Sequence, residues 1–130
     1  MRPVEIGATA TSELRVQQGD LASALGNFPD VFATARMVAL MEMAAANVLS
    51  PQLEGDELSV GVALDVQHTA ATPPGSRVVA KARFTGMDGK LYTFDVTCND
   101  EAGECGRGTH KRAVVSNARL VAGAAKRGGP

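Results

Sequence analysis

The stretch VFATARMVALMEMAAANVL, residues 31–49, decides how this chain folds. It is apolar except at Thr34, Arg36, Glu42 and Asn47, and it is rich in Ala, Leu and Met, which favour a helix. Asp30 stands where an N-cap is wanted, and Pro51 stands where a helix must stop. A helix apolar on nearly every side is a buried helix, so something must wrap it. The wrapping follows at once. Leu58, Val60, Val62, Leu64 and Val66 alternate with Ser59, Gly61, Ala63, Asp65 and Gln67, the period of a strand. After a turn at residues 68–75, Val78, Ala80, Ala82 and Phe84 mark a second strand. Asp88-Gly89 signals a hairpin, and Tyr92, Phe94, Val96 and Cys98 alternate through a third. A last strand runs from about residue 105 to 115. Upstream, one strand falls within residues 3–16 and a short helix near residues 21–25. The pattern predicts an α+β domain over residues 1–120, an antiparallel sheet of about five strands around one long central helix. Residues 121–130, small and flexible, are expected to fray.

Composition narrows the function. The 130 residues carry 13 basic and 14 acidic side chains, so a general nucleic-acid binder is not expected. Aromatics make up 4% of the chain, too few for base-stacking platforms. No uncharged run exceeds 11 residues, far short of the roughly 20 that a membrane span needs. The first residues lack the apolar core of a signal peptide, so the expected setting is cytoplasmic. Two cysteines are too few for a disulfide framework or a Cys-only zinc site. A symmetric turn over residues 99–104 would set Cys98 opposite Cys105 as free thiols.

Glu42 is the sharpest anomaly, a carboxylate inside an apolar helix. It is paired, protonated, facing a cleft, or on a wet stripe of the helix. His68 ends the first strand of the wrapping and shares parity with its valines. In a regular strand it points to the apolar face, as a core histidine or as a reactive one. Thr34 lies near the helix start, where free N–H groups and the helix dipole favour negative charge. Glu42 is eight positions further on, a helical rise of about 12 Å, so the two cannot touch within one helix. Gly61 marks a bulge or a close approach of a ligand to backbone. Arg107, Lys111 and Arg112 cluster on the last strand, as a solvated face or a phosphate-binding rim. No phosphate-loop, dinucleotide or nucleophile-elbow motif is present, and no Cys/His/Asp spacing suits a metal.

Three segments carry a resemblance. Phe28-Pro-Asp-Val-Phe-Ala-Thr-Ala-Arg-Met-Val-Ala-Leu-Met-Glu42, the block from Gly61 to Gly75, and Gly108-Thr-His-Lys-Arg112 are similar, in order and spacing, to the signatures of hotdog-fold thioesterases. The group they resemble is the fluoroacetyl-CoA thioesterase-like one, over about residues 28–115. The resemblance implies a hotdog fold and a homodimer with acyl-CoA sites at the subunit interface. It implies Thr34, Glu42 and His68 as the catalytic group. It places Gly61 in the acyl pocket, Arg112 near the thioester and Phe28 at a lid. Leu25 stands where the fluoroacetyl-specific enzyme has a second lid phenylalanine. Neither metal nor cofactor is expected. A hotdog enoyl-CoA hydratase or dehydratase, and a non-catalytic acyl-CoA-binding protein, are the rival readings.

Overall fold

The computed structural model describes residues 1–129. The apolar stretch starts its helix at Thr34: α1 is Thr34–Leu49, with Ala33 at the N-cap. The delay has a backbone cause. The N–H of Phe32 donates to the Thr72 carbonyl, and that of Ala33 donates to the Asp20 carbonyl, both at 2.9 Å. Phe32 and Ala33 are thereby held out of the helix, Phe32 in a bridge to Leu21 and Ala33 extended. Asp30 does not cap α1 and instead accepts from the Ser23 hydroxyl. Past Leu49 the chain tightens into one 3-10 turn, Ser50–Gln52, with Pro51 inside it.

Five strands follow the sequence pattern: β1 Thr9–Arg15, β2 Glu57–His68, β3 Arg77–Asp88, β4 Leu91–Asp100 and β5 Gly103–Ser116. They form one antiparallel sheet in the order β1-β3-β4-β5-β2. The first strand falls within residues 3–16 as expected, and Gly7, at φ +95°, turns the chain before it. The short helix near residues 21–25 is a pair of 3-10 turns, Gln18–Asp20 and Ala22–Ala24.

The sheet curls over one face of α1. Met37, Leu40, Met41, Ala44, Ala45, Val48 and Leu49 are buried on that face. Beneath them lie Val78, Ala80, Ala82 and Phe84 of β3 and Phe94, Val96 and Cys98 of β4, also buried. Each large apolar side chain so covered contributes about 1.5–3 kcal/mol. The opposite face of the helix is not wrapped within the chain: Ala35, Ala39 and Met43 are exposed there.

Two irregularities shape the site. In β2 the register shifts between Gly61 and Ala63, so Val62 is an extra residue. Before this bulge the odd-numbered Ser59 and Gly61 share a face with Arg112 and Val114. After it the even-numbered Leu64, Val66 and His68 do. The single parity expected from Leu58 to His68 therefore breaks at Val62, which is left 53% exposed. The second shift falls between Cys98 and Asn99, so Cys98 faces Gly106 rather than Cys105. Both cysteines are free and buried, and the Cys105 thiol donates to the Cys98 carbonyl at 3.4 Å. Burial pushes the Cys98 thiol well above its ordinary range.

Where the tail was expected to fray, α2 runs over Asn117–Arg127. Its alanines favour helix. The Ser116 hydroxyl caps it by accepting from the Arg119 N–H, and Asp56 accepts from Ser116 and from the Ala118 N–H. None of its side chains is buried.

The loop after β2 is latched from below. Buried Thr72 donates its hydroxyl to Asp100 at 2.6 Å, while Asp100 accepts from the Ala102 and Gly103 N–H groups. These bonds hold the Asp100 carboxyl below its ordinary value, the Thr72 hydroxyl most of all. A carboxyl lowered in the folded state stabilises it above the unfolded value, and that contribution is lost as pH falls through the folded one. We expect the melting temperature to drop below about pH 4, with a smaller acid-induced drop in Thr72→Val. Identical acid profiles for the two proteins would contradict the latch.

Candidate active site

The seven residues singled out by sequence fall into two groups at different points along α1. The first surrounds Thr34. Its hydroxyl lies 2.7 Å from His68 Nδ1, a hydrogen bond between the first residue of α1 and the last of β2. His68 packs edge-on against Phe32, ring centroids 6.3 Å apart. Its Nε2 is buried and has no hydrogen-bond partner. Burial lowers the affinity of His68 for a proton. Beside this pair opens a cleft of about 300 Å³, lined by Ala22, Phe32, Thr34, His68 and Thr69. A neighbouring hollow of about 260 Å³ shares Ala22 and Thr34 and is flanked by Leu25 and Phe28. Both of those side chains are exposed, and Gly26 makes room for the Phe28 ring. The N–H groups of Thr34 and Ala35 belong to the opening turn of α1, which has no preceding turn to receive them.

The second group surrounds Glu42. Its carboxylate rests over Gly61: a methyl group built there would stand 3.1–3.3 Å from the carboxylate atoms. The glycine is thus a seat for the acid. Arg112 NH1 lies 3.6 Å from Glu42 Oε2, a charge contact longer than a hydrogen bond. The Arg112 side chain is 7% exposed and that of Glu42 is 38% exposed. Three other acceptors hold the guanidinium. Nε donates to the Ser59 hydroxyl at 3.0 Å, NH2 to the Ser59 carbonyl at 2.9 Å and NH1 to His110 Nε2 at 3.1 Å.

Within one chain, then, the structure joins Thr34 with His68 and Glu42 with Arg112 and Gly61. It does not join His68 to Glu42. Sequence reasoning missed Ser59 and His110 and left Arg112 open to a solvated reading. The signal was available: His110 and Arg112 are two apart on β5 and so share a face. By contrast Arg107 and Lys111 are surface residues, paired with Glu104 and Asp88. Among the described residues no cluster of three or more His, Cys, Asp or Glu could hold a metal ion. None of the described helices is long and apolar enough to cross a membrane.

A curled five-stranded sheet on one long helix, with polar groups spaced along that helix, is the hotdog architecture of the thioesterase superfamily. More narrowly, the chain belongs to the FlK family of fluoroacetyl-CoA-specific thioesterases, whose pattern matches residues 16–118. The fluoroacetyl-CoA thioesterase of Streptantibioticus cattleyicolor is 47% identical over 88 residues, which are 68% of this chain. The matched region spans 63% of that relative's length, a little under two-thirds. A solved variant of FlK in complex with fluoroacetate and CoA is 35% identical, with a TM-score of 0.85 over 90% of this chain and 99% of its own. A thioesterase-superfamily member from Thermus thermophilus is 30% identical, with a TM-score of 0.86 over 94% of this chain and 91% of its own.

Proposed function

We propose that this protein hydrolyses a small acyl-CoA thioester to the free acid and CoA, in a homodimer that brings Thr34 and His68 of one protomer to Glu42 of the other. The observation that carries this reading is the Glu42 carboxylate: it stands in an apolar helix, seated on a glycine, and no described residue donates a hydrogen bond to it. That is the state a general base requires. Glu42 takes a proton from water, and the hydroxide oxygen bonds to the thioester carbon. The alternative route, in which the carboxylate itself attacks that carbon, uses the same seat. Negative charge gathers on the carbonyl oxygen, toward the free N–H groups at the start of α1 and the Thr34 hydroxyl. When the carbon–sulfur bond breaks, His68 relays the proton that Glu42 took from water to the CoA sulfur.

Several features support the two-chain assembly. β2 is a twelve-residue edge strand, and an open edge of that length invites pairing. Met43 and Val62, both more than half exposed, lie on the uncovered side. Gly61 and Arg112 flank the acyl carbon, while Leu25 and Phe28 form the lid over Thr34. Leucine covers less of that pocket than a phenylalanine would, so selectivity for a fluoroacetyl group is relaxed. Residues 1–120 make up the catalytic domain. A cytoplasmic setting suits the CoA substrate and keeps Cys98 and Cys105 reduced.

The test is thiol release from a panel of acyl-CoAs. We expect turnover of short acyl chains by a species that sediments as a dimer at micromolar concentration. Loss of enoyl absorbance without thiol release would make the protein a hydratase. Binding without turnover would make it a carrier.

A further inference from the structure

His110 takes no part in the chemistry above, yet it is 1% exposed and lies at the centre of the only polar network beneath the Glu42 seat among the described residues. Its Nδ1 lies 2.8 Å from the Ala63 carbonyl. A carbonyl oxygen can only accept, so Nδ1 carries the proton. Nε2, 3.1 Å from Arg112 NH1, faces a group that can only donate. Both neighbours therefore specify one state: neutral imidazole, proton on Nδ1, lone pair toward arginine. A second proton would set an N–H against the guanidinium. Burial is the largest effect and lowers the basicity of His110, the Arg112 charge adds to it, and the bond to the Ala63 carbonyl and the Glu42 charge oppose it without reversing it.

The consequence concerns Arg112. A buried guanidinium must have acceptors for its N–H groups, and one left unmet costs about 1–3 kcal/mol. Ser59 receives Nε and NH2. His110 receives NH1, the same nitrogen that faces Glu42 at 3.6 Å. Without the imidazole lone pair, the nearest acceptor for NH1 is that carboxylate. NH1 would then close on it as a charge-assisted hydrogen bond, with Nε and NH2 still on Ser59, and the carboxylate oxygen that faces Arg112 would be held by the guanidinium instead of being free for water.

We infer that His110 is a positioning residue, which restrains Arg112 through the Nε2 hydrogen bond and so keeps the Glu42 carboxylate free for its reacting partner. This inference rests on the thioesterase reading for its effect on turnover, but its geometry can be tested without turnover.

Two substitutions separate positioning from packing. In His110→Asn the amide can still donate to the Ala63 carbonyl, but no acceptor reaches Arg112. In His110→Gln the longer side chain can place its carbonyl oxygen where Nε2 stood. We expect His110→Asn to lower kcat about 10- to 100-fold with KM for the acyl-CoA changed less than about threefold, the split of a group that acts on the reacting carboxylate. We expect His110→Gln to recover most of that loss. Equal losses in both variants, or parental kcat in His110→Asn, would overturn the inference. The second readout is nitrogen NMR of the unsubstituted protein. The Nδ1 of His110 should be protonated and its Nε2 bare, and the Arg112 Nε–H should exchange slowly with solvent. A protonated Nε2 would overturn the inference even if neither variant folds. If the parent releases thiol from no acyl-CoA, the thioesterase reading falls alone, and the NMR result still decides the role of His110.

Discussion

Replacing Glu42 with glutamine is expected to lower kcat by at least about 100-fold, the low end of what the proposed general base would contribute. Glutamine keeps the length and shape of the side chain but cannot take a proton from water. The fold survives the change. The side chain is 38% exposed, and its ionic partner stands at 3.6 Å. Solvent screening limits such a half-open pair to about 1 kcal/mol or less. Arg112 keeps its bonds to Ser59 and His110, so no buried charge is stranded. The expected pattern is a melting temperature within a few degrees of the parent, a nearly unchanged KM and a collapsed kcat. The measurement is steady-state thiol release alongside thermal unfolding. Turnover near the parental rate would remove Glu42 from the reaction.

Gly108→Ala has the largest expected effect on stability. Gly108 pairs with Val66 of β2 and Val96 of β4 in the middle of the sheet. A methyl group there would overlap the Asp65 carbonyl oxygen and come within 2.6 Å of the Val66 Cα. Both obstacles are backbone, so neither can rotate away. Either β2 lifts from β5 or β5 straightens. Overpacking commonly costs 1–3 kcal/mol, and a backbone obstacle puts this case at about 3 kcal/mol or more. For a chain of this size that is a fall of roughly 10 °C or more in melting temperature. A methyl accepted with a loss of only a degree or two would mean that β2 packs less tightly on β5 than described. Gly61→Ala makes a useful contrast. Its methyl meets only the movable end of the Glu42 side chain.

Most of the architecture was legible because it rests on periodicity. α1 and four of the strands carry apolar residues at helical or alternating spacing, and both hairpins follow turn residues. The departures have local causes that periodicity does not encode. The three register shifts, at Val62, at Thr85 and next to Cys98, each add one residue to one strand, and composition does not mark such places. The helix starts at Thr34 because Asp20 and Thr72, distant in sequence, claim the preceding N–H groups. α2 was obscured by small residues and glycines that look like a tail, although Ser116 and Asp56 cap it. At the site, Thr34, Glu42 and His68 were conspicuous as polar residues in apolar surroundings. His110 was less conspicuous: its spacing of two from Arg112 puts them on one strand face, but nothing in a single sequence marks that face as buried.

The eight-residue offset from Thr34 to Glu42 carries a genetic consequence. The proposed site, drawn from two chains, would let defects complement one another. A protomer lacking Glu42 and a protomer lacking His68 would each be inactive as homodimers. When the two pair, one site of the mixed dimer receives both lesions and the other receives none. Random reassortment under two-fold symmetry makes about half of all dimers mixed, so about a quarter of the parental activity should return. Two null alleles of this gene, expressed together, would then behave as a partly functional one.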